Sequence, residues 1–204
     1  MSRISYKKLL LPSLVASFSL MSSANAAPDL YPNSGTPNAA LYSFTAQSNG
    51  NLIAYYTGSG ASFESDLSLL VNGVDTGVSS LNNHTSSYGQ TIDFGNVNAG
   101  DNLVFRLNVL TTGEKWFSNA ALNTDGGNHI YSNTFAGDAD VPAGISVAFE
   151  DLDFNSGSDY NYNDENFVFT NVQVSPAPEP ETYALMVTGL GLVGAMTRRK
   201  QKTA

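Results

Sequence analysis

The sequence predicts an all-β protein: a single antiparallel β-sandwich of jelly-roll-like type, with an N-terminal signal helix and a short C-terminal transmembrane sorting helix. Three observations lead there. Between residues 28 and 175 no apolar period of 3.6 persists, so no amphipathic helix is indicated. Short runs of Val, Ile, Tyr and Phe recur instead, each bounded by Gly, Asn, Ser or Asp. The two ends differ from this middle, because they carry seven of the nine Lys and Arg side chains.

Residues 1–26 have the three parts of a secretory signal peptide. Arg3, Lys7 and Lys8 form a basic head, and an apolar run over 9–21 follows. That run is too short to span a bilayer as a stable helix. Ala24-Asn25-Ala26 then places small residues, Ala24 and Ala26, at the two positions that signal peptidase must accommodate.

Within 27–175 the expected strands are 41–46, 51–57, 66–71, 74–78, 91–94, 102–110, 145–149 and 167–174. Asn72-Gly73 between two apolar runs is the strongest hairpin signal, since both residues tolerate positive φ. Asn98-Ala99-Gly100-Asp101 is a second turn, and it leads into the alternation Leu103, Phe105, Leu107, Val109. No repeat and no linker divides the segment, so it reads as one domain.

Residues 176–204 form the other end. Pro176-Ala177-Pro178-Glu179-Pro180-Glu181 is a spacer whose prolines forbid both helix and ladder. An apolar run over 183–196 follows, then Arg198, Arg199 and Lys200. As a helix that run rises about 21 Å, short of the roughly 30 Å hydrocarbon core, which suits a transient insertion better than a permanent anchor. Its basic flank stays cytoplasmic, so the domain before it lies outside. The order Pro178-Glu179-Pro180, short apolar helix, basic cluster resembles the PEP-CTERM sorting signal of Gram-negative bacteria. The resemblance implies passing insertion in the inner membrane and handling by an exosortase-type membrane protease. It also implies delivery to the outer surface or extracellular matrix, in company with exopolysaccharide and biofilm.

Charge narrows the partners. The precursor carries −9, but within 27–175 Arg106 and Lys115 stand against sixteen carboxylates, a balance of about −14. Nucleic acid and anionic lipid both require Lys or Arg, so neither is an expected partner. Metal cations, or solubility outside the cell, fit the balance. The chain has no cysteine, which excludes disulfides, thiol nucleophiles and Cys-ligated metals.

The specific chemistry lies between Trp116 and Asn171. Asn123-Thr124-Asp125-Gly126-Gly127-Asn128-His129, Phe149-Glu150-Asp151-Leu152 and Asp159-Tyr160-Asn161-Tyr162-Asn163-Asp164 occur there in turn. Together they resemble the DUF4114 family, a β domain of bacterial surface and secreted proteins. That implies an extracellular, non-catalytic domain. The loop after Phe-Glu-Asp-Leu is longer here than the family's Gly-Gly-Gly-Asp, and Asn161 stands where an Asp is common.

Between 150 and 165 there are six carboxylates and three Asn side chains, a density of hard oxygen donors suited to Ca²⁺. The candidate metal residues are Glu150, Asp151, Asp153, Asp159, Asn161, Asn163 and Asp164, with Asn123 and Asp125 as a second loop. No EF-hand frame fits: starting at Asp151 the sixth and twelfth positions are Ser156 and Tyr162. If 159–165 is extended, Asp159, Asn161, Asn163 and Glu165 share one face. The other reading is that these residues make Asx-turns that shape the loop. His129 reads as a packed or hydrogen-bonded residue rather than a zinc ligand.

The leading expectation is a non-enzymatic surface or matrix protein with calcium as candidate cofactor. The alternative is a carbohydrate-binding module in which Trp116 and the tyrosines stack on exopolysaccharide. A hydrolase built on a pair such as Glu150 and Asp164 ranks third, since no nucleophile elbow or His-Glu-x-x-His motif is present.

Overall fold

The computed structural model describes residues 30–176, and the signal and sorting segments lie outside the described residues apart from Pro176. Eleven strands follow one another along the chain: β1 Tyr42–Ala46, β2 Gly50–Gly58, β3 Ser65–Val71, β4 Val74–Ser80, β5 Thr91–Val97, β6 Asn102–Val109, β7 Lys115–Phe117, β8 Ile130–Phe135, β9 Gly144–Phe149, β10 Glu165–Thr170 and β11 Val172–Pro176. A single turn of 3₁₀ helix, Ala120–Leu122, lies between β7 and β8. No helix among the described residues is long and apolar enough to cross a membrane.

The strands form two antiparallel sheets. One runs β11-β1-β6-β3-β4, with β7 also paired to β6; the other runs β5-β2-β10-β9-β8. Along β6, β1 pairs with its first residues and β7 with its last, so the two short strands share one side of it. The alternation read from 103–109 is the reason β6 is central. Leu103, Phe105, Leu107 and Val109 all point inward and are buried. Across the gap β10 presents Phe167 and Phe169, and the rings of Phe105 and Phe169 stack with centroids 3.8 Å apart. One core cluster contains residues of both sheets, which makes the pair of sheets a sandwich.

Most expected strands are present with their ends moved by one to three residues. Asn72 and Gly73 both take positive φ, 52° and 80°, and close the β3–β4 hairpin as expected. The expected strand 167–174 is in fact two strands in different sheets. Asn171, at φ 61°, turns the chain between them. Its side-chain oxygen accepts from the Ser48 N–H at 2.9 Å, which holds that corner to the turn before β2. Two strands, β7 and β8, were not expected. β8 is an edge strand whose middle residues Tyr131, Ser132 and Asn133 are only half-buried, so its sequence lacks an apolar alternation.

The site-bearing end of the sandwich is where β3 and β10 begin and β2, β6 and β9 finish. Loop 150–164 joins β9 to its neighbour β10 across this end, and loop 59–64 lies beside it.

Candidate functional site

The three sequence motifs converge here. β9 delivers Glu150 and Asp151, and β10 opens with Glu165 opposite Phe149. The Asp164 N–H donates to the Phe149 carbonyl at 3.1 Å, closing the loop. The Asp164 side chain then accepts from the Asp151 N–H at 2.9 Å. Glu150 is 1% exposed, Asp151 4% and Glu165 0%, so three of these four acids are enclosed.

Burial is the first cause that shifts all four. It pushes the Glu150 carboxyl up to about 7, with the Asp164 charge adding to the effect. Asp151 is likewise pushed up to about 7 by burial and then by Asp164. Asp164 itself is raised, burial outweighing the hydrogen bond from Asp151. Glu165 is raised furthest, to about 10, by burial and then by the charges of Asp151 and Asp164. Arg106 is engaged elsewhere, on Asp75 at 2.7 Å. A cleft of about 200 Å³ opens onto two of the four, walled by 60–63, Asp151, Leu152 and Asp164. Its two walls are tied by the Gly60 N–H donating to the Asn163 carbonyl at 2.8 Å.

The other candidates serve the shape of the loops. The Asp153 side chain accepts from the Asn155 N–H at 2.6 Å, Asp159 from the Asn161 N–H at 3.1 Å, and Asn161 from the Asn163 N–H at 2.9 Å. These are Asx-turns, and between them Tyr160 and Tyr162 each take φ 52°. Residues 159–164 are therefore not extended, and the shared face expected for Asp159, Asn161, Asn163 and Glu165 does not form. The turns instead send Tyr162 inward, where its hydroxyl donates to the Asn128 carbonyl at 3.0 Å and accepts from the Asn38 N–H at 2.8 Å.

Asn123 and Asp125 do not join the carboxylate group. The Asn123 side chain accepts from the Phe117 N–H at 2.7 Å and donates to the Phe117 and Gly127 carbonyls. Asp125 pairs with His129 Nε2 at 2.9 Å, with both side chains buried. Burial would raise the Asp125 carboxyl, but the Gly127 N–H, His129 and the Phe154 N–H together hold it below its usual range. The His129 ring lies between Trp116 at 3.8 Å and Phe154 at 4.3 Å. Its Nδ1 faces the Glu150 carbonyl at 3.0 Å, which only accepts, so Nδ1 carries a proton. The Trp116 indole N–H donates to the Asp151 carbonyl at 2.8 Å. The Asp125–His129 pair thus anchors the backbone on which Glu150 and Asp151 stand.

Sequence reasoning left Glu165 out of the candidate set. The signal that points to it is its place two residues before Phe167, on the inward face of a strand whose other inward residues are apolar. Among the described residues, no three His, Asp or Glu side chains are gathered closely enough to hold an ion as they stand. No protein-family model, curated protein or solved structure matches the chain.

Proposed function

We propose that this chain is an exported, non-enzymatic domain of the cell surface or extracellular matrix, a jelly-roll-like sandwich of the DUF4114 kind. On this reading residues 1–26 send it across the inner membrane. Residues 176–204 then hold it there until an exosortase-type protease removes them, and the product accompanies exopolysaccharide. One observation carries the choice among the three readings: Trp116, Tyr162 and His129, the rings at the centre of the motifs, are enclosed. Trp116 and Tyr162 are each 1% exposed, and His129 is wholly buried beside Asp125. A sugar-stacking platform needs its rings on the surface, so this arrangement favours a structural domain over a binding module.

The raised carboxyls of Glu150 and Asp151 also suit acid–base chemistry near neutral pH. Against a hydrolase stands the enclosure of Glu150, which leaves a glycosidic oxygen no approach to it. The test is localisation. In cells lacking the exosortase, the chain is expected to stay membrane-bound with its tail intact. Release of tail-processed protein at the normal level in those cells refutes the sorting reading.

A further inference from the structure

We infer that Glu165, with Asp164 and Asp151, forms the binding site of a hard divalent cation, calcium by preference, at the end of the sandwich where Asp151 and Asp164 line the cleft and Glu165 is buried behind them. This inference rests on the fold and is independent of the route of export. An acidic loop alone would not carry it, because Asx-turns account for Asp153, Asp159 and Asn161. Glu165 is different. It is 0% exposed, and neither Oε1 nor Oε2 has a hydrogen-bond partner. Its side chain lies on the inward face of β10 with Phe167 and Phe169, at the end of that face next to Asp164.

Protonation does not resolve this arrangement. It would remove the charge, yet leave a hydroxyl donor and a carbonyl acceptor both buried and unpaired. A cation satisfies both oxygens at once and offsets the charges of Asp151 and Asp164 in the same step. On the facing sheet the Ser65 Oγ, at the start of β3 and on its inward face, is also buried without a partner. The donors at this end are all oxygens, and His129 is sequestered by Asp125 and the Glu150 carbonyl. An anionic, all-oxygen set selects calcium or magnesium over zinc or copper. The unequal reach of a Glu and two Asp side chains, on a loop and a strand end, suits the relaxed coordination of calcium. As they stand the described residues form no ready-made metal cluster, so binding includes a rearrangement of these side chains.

The test uses the full chain purified in detergent and stripped with EDTA. Calcium chloride is expected to raise Tm, with heat corresponding to one site, and magnesium chloride to do so less. Trp116 is the chain's only tryptophan and bonds to the Asp151 carbonyl, so terbium in the same site is expected to luminesce on tryptophan excitation and to be displaced by calcium. Glu165→Gln and Asp164→Asn are each expected to keep the wild-type circular dichroism in EDTA and to lose the calcium-dependent rise in Tm. Asp159→Asn is expected to keep it. A Tm indifferent to calcium and EDTA overturns the proposal, as does a Glu165→Gln chain that binds calcium like the wild type.

Discussion

At the scale of single residues, the domain's polar interior depends on Asp125. Its carboxylate receives the Gly127 N–H at 2.8 Å, the Phe154 N–H at 3.1 Å and His129 Nε2, so one side chain ties loop 123–129 to loop 150–164. Asp125→Ala leaves the buried His129 Nε2 without its partner, and removing one partner of a buried polar pair costs about 3–5 kcal/mol. In a domain of this size Tm is expected to fall by about 10 °C, read by calorimetry. Asp125→Asn, which keeps an acceptor oxygen, is expected to lose less; equal losses would show that the acceptor oxygen facing His129 contributes nothing. Because the carboxyl is held below its usual range, this contribution is present at neutral pH. It is lost only as pH falls through that lowered value. The sequence made Asp125 visible as a turn residue and His129 as a packed one, but not as partners. Four residues separate them, and only the Gly126-Gly127 turn brings the ring back over the carboxylate. Glu165 was counted with the loop's carboxylates but placed on the wrong face, because its burial depends on its position as the first inward residue of β10 and not on an extended loop.

Among the elements, the strands with clear alternation were legible and those defined by their neighbours were not. β6 could be read from Leu103, Phe105, Leu107 and Val109 alone. β7 is three residues long and exists because β6 has an edge left uncovered by β1. The break between β10 and β11 depends on one residue, Asn171, whose tolerance of positive φ reads equally well as a strand interior in a polar segment. Turns give a comparison free of such ambiguity. Gly73 and Gly137 both have positive φ, but a Cβ on Gly73 meets nothing within 4 Å, whereas on Gly137 it meets the Ala143 nitrogen at 2.7 Å. Gly73→Ala is therefore expected to cost about 1 kcal/mol, the backbone penalty alone. Gly137→Ala adds a clash with main chain that has no rotamer to escape by, and its loss is expected to be clearly larger in urea unfolding. Equal midpoints for the two variants would contradict this reading of the 136–143 loop.

At the scale of the whole molecule the acidic balance becomes a dependence on pH. Glu150 and Asp151, pushed up to about 7, hold protons in the folded chain that they release in the unfolded chain above about 4. The folded state therefore binds more protons across that interval, and stability falls as pH rises through it. In EDTA, Tm is expected to be higher at pH 5 than at pH 8, the reverse of a protein whose carboxylates are salt-bridged. A Tm that rises between those two values would mean that Glu150 and Asp151 are not enclosed as described. The all-β class and the turns were legible from composition and spacing. The order of strands within each sheet was not, since it depends on pairs of residues more than a hundred positions apart, such as Tyr42 with Pro176. That last pair also governs how the domain carries load. β11 is an edge strand, held along one side only, and the chain leaves it at Pro176. Tension arriving from beyond Pro176 meets the ladder one rung at a time, beginning at Tyr42, and peels the strand open like a zip. The Asn171 corner, pinned to Ser48, is where the peeling stops and the core begins to resist.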